Sequence, residues 1–238
     1  MTPTGAEADG DGRAGVHNAP MPTPALTWAE CTALLTLATA ASFTPGPNTT
    51  LSTALAAQGG LRRALPFVCA VPVGWALLLV LCAAGVGTLV LAVPWLRLGV
   101  LGGGVAYLLW LAWRLAGAGT PALGPQPPLR ISFARGVALQ FLNIKAWMLA
   151  LSVVAGWIAG HPQAGQRLVW VLPVMVAYAL ASNLTYAMIG SALRGWLAGP
   201  LVQGRPSHRR LRTFNRLMAA ALAVTALWML ASGLGGLR

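Results

Sequence analysis

From Cys31 to Arg238 the sequence contains no Asp and no Glu. Few folds tolerate that. A soluble surface interleaves charges of both signs, and soluble domains carry about 25% charged residues. This chain carries 8%, against 57% hydrophobic residues. The apolar residues come in runs, and the arginines sit in the short gaps between them. Despite a net charge of +12, that pattern does not suggest a nucleic-acid binder. It describes an all-α integral membrane protein that crosses the bilayer several times. The only acids are Glu7, Asp9, Asp11 and Glu30. Paired-acid hydrolysis, a carboxylate metal site and an Asp/Glu proton relay inside the membrane are therefore excluded.

Six apolar segments follow the start, each near the ~20 residues that span a bilayer: 26–57, 66–92, 95–115, 133–159, 168–193 and 211–234. Residues 1–25 lack the basic and apolar regions of a signal peptide and read as a disordered tail. Residues 26–238 read as one transporter domain. A Gly/Pro-rich linker, 117–130, divides it into halves 26–116 and 131–238. Three spans per half is an odd number, so the halves enter from opposite faces and a 3+3 inverted repeat is available.

Phe43-Thr44-Pro45-Gly46-Pro47-Asn48 interrupts the first segment. Each proline lacks an N–H and clashes with the preceding turn, about 3 kcal/mol in a helix interior. The first helix is therefore expected to break at Thr44–Asn48. Broken backbone at membrane depth is tolerated where it packs in protein or lines a wet cavity. The first segment of the second half carries the other anomaly, Gln140-Phe141-Leu142-Asn143-Ile144-Lys145. Lys145 is the one lysine of the chain. An ionisable residue inside a span points to function, and disturbed segments at corresponding places in two halves point to a transport site.

A broken helix offers free N–H groups at one end and free carbonyls at the other. The carbonyls of Ser42 to Gly46 suit an ammonium, and the N–H groups of Asn48 to Leu51 suit a carboxylate. Lys145 can bind a carbonyl, bind a substrate carboxylate, or release its proton and so couple transport to protons. The candidate substrate site is Thr44, Pro45, Gly46, Pro47, Asn48, Asn143 and Lys145. Gln140, Trp147, Asn183 and Tyr186 are candidates to line the cavity. Without acids, the site fits a small neutral amino acid better than a dicationic one.

Arginines are distributed unequally. Arg62, Arg63, Arg114, Arg130, Arg135, Arg194, Arg205, Arg209, Arg210, Arg212 and Arg216 fall on one side of a six-span layout, and Arg13, Arg97, Arg167 and Arg238 on the other. The positive-inside rule then puts the first group in the cytoplasm and both termini outside. Gly99 and Gly103 have the small-xxx-small spacing of close helix packing. Cys31, Cys69 and Cys82 read as small core residues, and His17, His161 and His208 as solvated. No metal or other cofactor is expected.

Several motifs in order resemble the LysE/RhtB family of amino-acid exporters. They are Phe43 to Asn48, Gln58-Gly59-Gly60-Leu61-Arg62-Arg63-Ala64, Gly104 to Arg114, Ser132-Phe133 with Gly136 and Asn143-Ile144-Lys145-Ala146, and Arg209 to Arg216. Ile144 stands where that family usually has proline, which leaves a second helix break open. The resemblance implies a six-span exporter of amino acids or their derivatives in a bacterial plasma membrane, driven by the proton motive force. The stretch Ile131 to Lys145 is most similar to the cysteine/O-acetylserine branch; threonine/homoserine is the neighbouring type. Its partners would be an amino-acid substrate, a coupling proton and the bilayer, with a homo-oligomer compatible. The rival readings are a Ser–Lys intramembrane enzyme using Ser42, Ser52 or Ser152, a passive membrane subunit or channel, and an exporter of another small solute.

Overall fold

The computed structural model describes residues 26–118, 129–202, 205–206 and 209–235. The expected tail at 1–25 and most of the linker at 117–130 lie outside the described residues, as do His17 and His208. The described chain is helical throughout, apart from Leu201–Val202 paired antiparallel with Arg205–Pro206. In order the helices are α1 (Trp28–Phe43), α2 (Pro47–Gly59), α3 (Leu61–Ala83), α4 (Val86–Ala92), α5 (Pro94–Gly117), α6 (Phe133–Phe141), α7 (Ile144–Val153), α8 (Ala164–Ala198) and α9 (Arg209–Gly235). A π-helical turn, Val154–Ile158, continues α7.

Helices α3, α5, α8 and α9 are long and apolar enough to cross a membrane. A fifth crossing forms if α6 and α7 with its π turn count as one span, bent by 67°. Large apolar side chains on these helices, such as Leu77, Leu98, Val169, Leu217 and Val224, point outward. Outward apolar faces on helices of this length suit lipid. Trp28, Trp95 and Trp196 are exposed near helix ends, where amphipathic rings meet headgroups.

Several expected boundaries are corrected. Segment 66–92 is not one helix: α3 stops at Ala83, and Gly85 at φ +90° starts a separate α4. That left-handed conformation is favourable only without a Cβ. The segment expected at 168–193 is α8, 35 residues long. At ~1.5 Å per residue it overshoots a ~30 Å hydrocarbon core. Cys82 is buried, but Cys31 is half-buried and Cys69 is exposed, so the core reading fails for Cys69; all three thiols are free. Gly99 and Gly103 do not make the close approach. Gly99 faces open space, and a Cβ on Gly103 would make ordinary contact, 3.5 Å from Leu142 Cδ2. The neighbour does instead: a Cβ on Gly104 would overlap the Leu142 carbonyl oxygen.

The helices pack reciprocally. The α1–α2 pair lies on α8, the α6–α7 pair lies on α3, α3 touches α8, and α5 touches α9. Buried positions are few on α1, only Leu34 and Ala38. On α2 every residue from Thr49 to Ala57 is buried. Two polar clusters mark opposite ends of the bundle. At one, Glu30 caps α1 together with Thr27, pairs with Arg167 Nη1 at 2.7 Å and accepts at its backbone carbonyl from Trp157 Nε1 at 2.9 Å. At the other, Gln58 Nε2 donates to Asn215 Oδ1 at 3.3 Å. There Asn215 Nδ2 donates to the Ala118 carbonyl, and Leu129 N donates to Gln58 Oε1, which joins the two edges of the linker.

Candidate functional site

The first break follows from local sterics. A residue before proline is driven out of the helical region. Thr44, before Pro45, has ψ 126°; Gly46, before Pro47, is fully extended at φ −162° and ψ −174°. Pro47 then opens α2 at a position where its missing N–H costs nothing. Thr49 closes the start: its Oγ1 accepts from Gly46 N at 2.9 Å and donates to the Gly46 carbonyl at 3.1 Å. The expected supply of free groups is smaller than the sequence suggested. Thr50 N–H is committed to the Gly46 carbonyl at 2.9 Å. The Phe43 carbonyl accepts from Tyr186 Oη at 2.9 Å. The N–H groups of Asn48 and Thr49 remain, as at any helix start.

The second break forms without a proline. Helix α6 ends at Phe141, and Leu142 N and Asn143 N fold back to the Leu139 and Gln140 carbonyls at 3.2 and 3.3 Å. Asn143 caps α7 by accepting from Lys145 N at 3.2 Å. Trp147 Nε1 donates to the Phe141 carbonyl at 2.8 Å, and its ring meets Phe141 edge-on at 6.5 Å. Gly104 brings α5 against the Leu142 carbonyl. An asparagine cap, a tryptophan and a glycine contact therefore do here what a proline would do alone.

The two breaks face each other. Asn48 Nδ2 donates to Gln140 Oε1 at 2.9 Å, and Gln140 Nε2 donates back to Asn48 Oδ1 at 3.2 Å. Gln140 has no exposed surface and also donates to the Gly136 carbonyl at 3.2 Å. A methyl group placed on Gly46 would lie 3.3 Å from Lys145 Nζ. A side chain at 46 would press on the ammonium and move it by a few tenths of an ångström. Among the described residues, no acceptor is hydrogen-bonded to Lys145 Nζ, and the one ion pair is Glu30–Arg167.

Between the breaks lies a cavity of about 70 Å³. At roughly 15 Å³ per water on this measure, that is room for several waters. Of the sequence-predicted residues, Thr44, Gly46, Pro47, Asn48, Asn143, Lys145 and Asn183 line it. Pro45, Gln140, Trp147 and Tyr186 do not line it. The last three bond to the other break's Asn48, to the Phe141 carbonyl and to the Phe43 carbonyl, so they brace the site instead of walling it.

The sequence reading missed Val71, Trp75, Leu149, Met175 and Ser182, which also line it. Only Ser182, beside Asn183, carried any signal. Ser52, also missed as a site neighbour, donates to Asn183 Oδ1 at 2.9 Å. Ser152 donates to the Met148 carbonyl at 2.8 Å. Of the three serines considered for a Ser–Lys dyad, only Ser42 shares the cavity with Lys145. No cluster of three His, Cys, Asp or Glu exists among the described residues. The cavity thus has one formal charge, positive, set among amides, hydroxyls and free N–H groups. Chemically such a lining suits a small anion with an apolar neighbour.

A profile of the LysE type translocator family matches residues 39–235. This chain belongs to the LysE type translocator family. The matched region contains both helix breaks and all the candidate site residues. Curated relatives include a cysteine/O-acetylserine efflux protein of Escherichia coli O139:H28, 31% identical over 187 residues that cover 79% of this chain and 88% of the relative. A protein of the same name from Klebsiella pneumoniae is 29% identical over 169 residues, 66% of this chain and 80% of the relative. Another from E. coli K12 is 32% identical over 152 residues, 63% and 76% respectively. No solved structure matches the chain. As a LysE type translocator with several lipid-compatible helices, it is a multi-pass membrane transport protein and not an enzyme.

Proposed function

We propose that this translocator exports small neutral amino acids or their derivatives, of the cysteine/O-acetylserine or threonine/homoserine type. One observation carries the reading: the Lys145 ammonium lies beside Gly46, where two interrupted helices meet around a cavity. An amino acid presents one anionic and one cationic group. Its carboxylate goes to Lys145 Nζ and to the free N–H groups of Asn48 and Thr49 at the positive end of α2. Its ammonium goes to the carbonyl end of α1 around Thr44. Val71, Trp75, Leu149 and Met175 receive the side chain. A second cation would meet Lys145 with no carboxylate to balance it. Thr44, Pro45, Gly46, Pro47, Asn48, Asn143 and Lys145 are the binding core, joined by Asn183 and braced by Gln140, Trp147 and Tyr186.

Export is driven by the proton motive force. Lys145 is the one titratable group among the lining residues and carries the coupling proton. Residues 26–238 form six crossings: α1–α2, α3, α5, α6–α7, α8 and α9. Halves 26–116 and 131–238 form an inverted repeat, a reading supported by the reciprocal packing of α1–α2 on α8 and α6–α7 on α3. The protein sits in a bacterial plasma membrane with its arginine-rich loops in the cytoplasm and both termini outside.

The test is uptake of labelled cysteine, O-acetylserine, threonine and lysine into everted vesicles, with and without a proton gradient, alongside Lys145→Ala. Saturable, gradient-driven accumulation of a neutral amino acid but not of lysine is expected. Lys145→Ala should reduce it to background with the amount inserted unchanged. Full activity in the variant would remove Lys145 from the site; no accumulation of any substrate would end the amino-acid reading.

A further inference from the structure

Helix α2 lies at the centre of the bundle, with α3, α8 and α9 packed around it. An enclosed helix is usually apolar on all sides. This one buries Thr49, Thr50, Ser52 and Thr53. Its polar ties to the rest are hydrogen bonds between neutral groups: Asn48–Gln140 to α6, Ser52–Asn183 to α8, Gln58–Asn215 to α9, and the Leu129 N–H to Gln58 Oε1. At Thr53 its backbone lies so close to α8 that a Cβ on Gly190 would overlap the Thr53 carbonyl oxygen. Joints bound it at both ends. One is the extended Thr44-Pro45-Gly46; the other is Gly59-Gly60, with Gly60 at φ +80°.

The cavity sits only at the N-terminal end of α2. It takes Gly46, Pro47, Asn48 and Thr49, and nothing further along the helix. From α1 it takes Ala41 and Ser42, in the last turn before the break, so that α1 and not α2 lies between the cavity and the Glu30 end. The rest of α2 fills the space between the cavity and the Gln58–Asn215 end, where the arginine-rich termini of α3, α8 and α9 gather. Neutral hydrogen bonds can re-form with water when a helix shifts. A buried ion pair would resist parting, because each charge left behind is costly. The ties of α2 are all of the first kind.

We propose that α2 is the moving barrier of the transport path, with Ser52, Gln58, Asn183, Gln140 and Asn215 acting as positioning residues that hold it closed. This rests on the reading of the chain as an exporter. Substrate entering from the arginine-rich end displaces α2 about its two joints, reaches the cavity, and leaves toward the Glu30 end after α2 returns.

The test uses the full chain with Cys31, Cys69 and Cys82 replaced by alanine, in vesicles of both orientations. Single variants Ser42→Cys and Ala54→Cys, the second on a fully buried α2 position that makes none of the ties, are exposed to a membrane-impermeant maleimide from one side at a time. At rest, Ser42→Cys should react from the Glu30 side and Ala54→Cys from neither. O-acetylserine, which has no thiol, is then supplied at the arginine-rich side. It should raise Ala54→Cys labelling from that side at least about fivefold, the low end of typical ligand–conformation coupling. In Gln58→Cys/Asn215→Cys, a short cleavable thiol cross-linker should lower transport relative to the same chain before bridging, and cleavage should return it to that level. Resting Ala54→Cys labelling from the arginine-rich side as fast as Ser42→Cys labelling from the other overturns the barrier. So does transport undiminished by the bridge, or Ala54→Cys that stays unlabelled in vesicles that transport. Failure of the unsubstituted chain to move O-acetylserine would count against the substrate reading alone, because the resting pattern needs no substrate.

Discussion

Gly46 and Lys145 lie side by side in the wall of the cavity between the two helix breaks. Gly46 is extended, a conformation open to any residue, so Gly46→Ala meets no backbone strain. Its new methyl group would sit 3.3 Å from Lys145 Nζ, at the cavity wall. We expect Gly46→Ala to melt within about 0.5 kcal/mol of the parent, as for substitutions that disturb no packed core. Its half-saturation concentration for transport should rise about tenfold, equivalent to ~1.4 kcal/mol of binding. Concentration-dependent uptake checks this, and an unchanged value would mean that substrate does not approach Gly46. Lys145 and the Thr44–Asn48 run were legible from sequence because both break the chemistry of their surroundings: a cation and two prolines among apolar residues. Trp75, Leu149 and Met175 were not, because nothing in a sequence separates an apolar residue facing a cavity from one facing lipid.

At the scale of elements, the informative comparison is between the two breaks. The first was legible, since Pro45 and Pro47 dictate it locally. The second was left open because Ile144 replaces proline, yet α6 and α7 still part at Leu142–Asn143. Its determinants are the Asn143 cap, the Trp147 bond to the Phe141 carbonyl and the contact of Gly104 with Leu142. Two of those three lie away from the turn itself. A Cβ on Gly104 has nowhere to go, whereas Gly99 on the same helix faces open space. Gly104→Ala should therefore cost roughly 1–3 kcal/mol, the usual range for overpacking, and Gly99→Ala should stay within about 0.5 kcal/mol. Thermal unfolding of both variants in detergent reads the difference directly. Equal melting would show that α5 does not support the second break.

For the whole molecule, the six crossings proposed above would place the first turn of α3, with Arg62 and Arg63, and the C-terminus on opposite faces. A reporter enzyme active only outside the cytoplasm should be silent when fused after Arg63 and active when fused after Arg238. Activity at both points would require an odd number of crossings between them to be abandoned. The ion pair of Glu30 with Arg167 fixes one end of the bundle, and Gln58 with Asn215 fixes the other. By itself the sequence determined the solvent, the helical class, the first break and the one lysine, set inside an apolar run. Those follow from composition and local sterics, which act over a few residues. Tertiary structure decided the second break, the enclosure of α2, the pairing of Asn48 with Gln140 and which polar residues line the cavity instead of bracing it. Those depend on contacts between positions far apart in the chain, such as 48 with 140 and 104 with 142, and a hydrophobic pattern has the same period whichever neighbour a helix face meets.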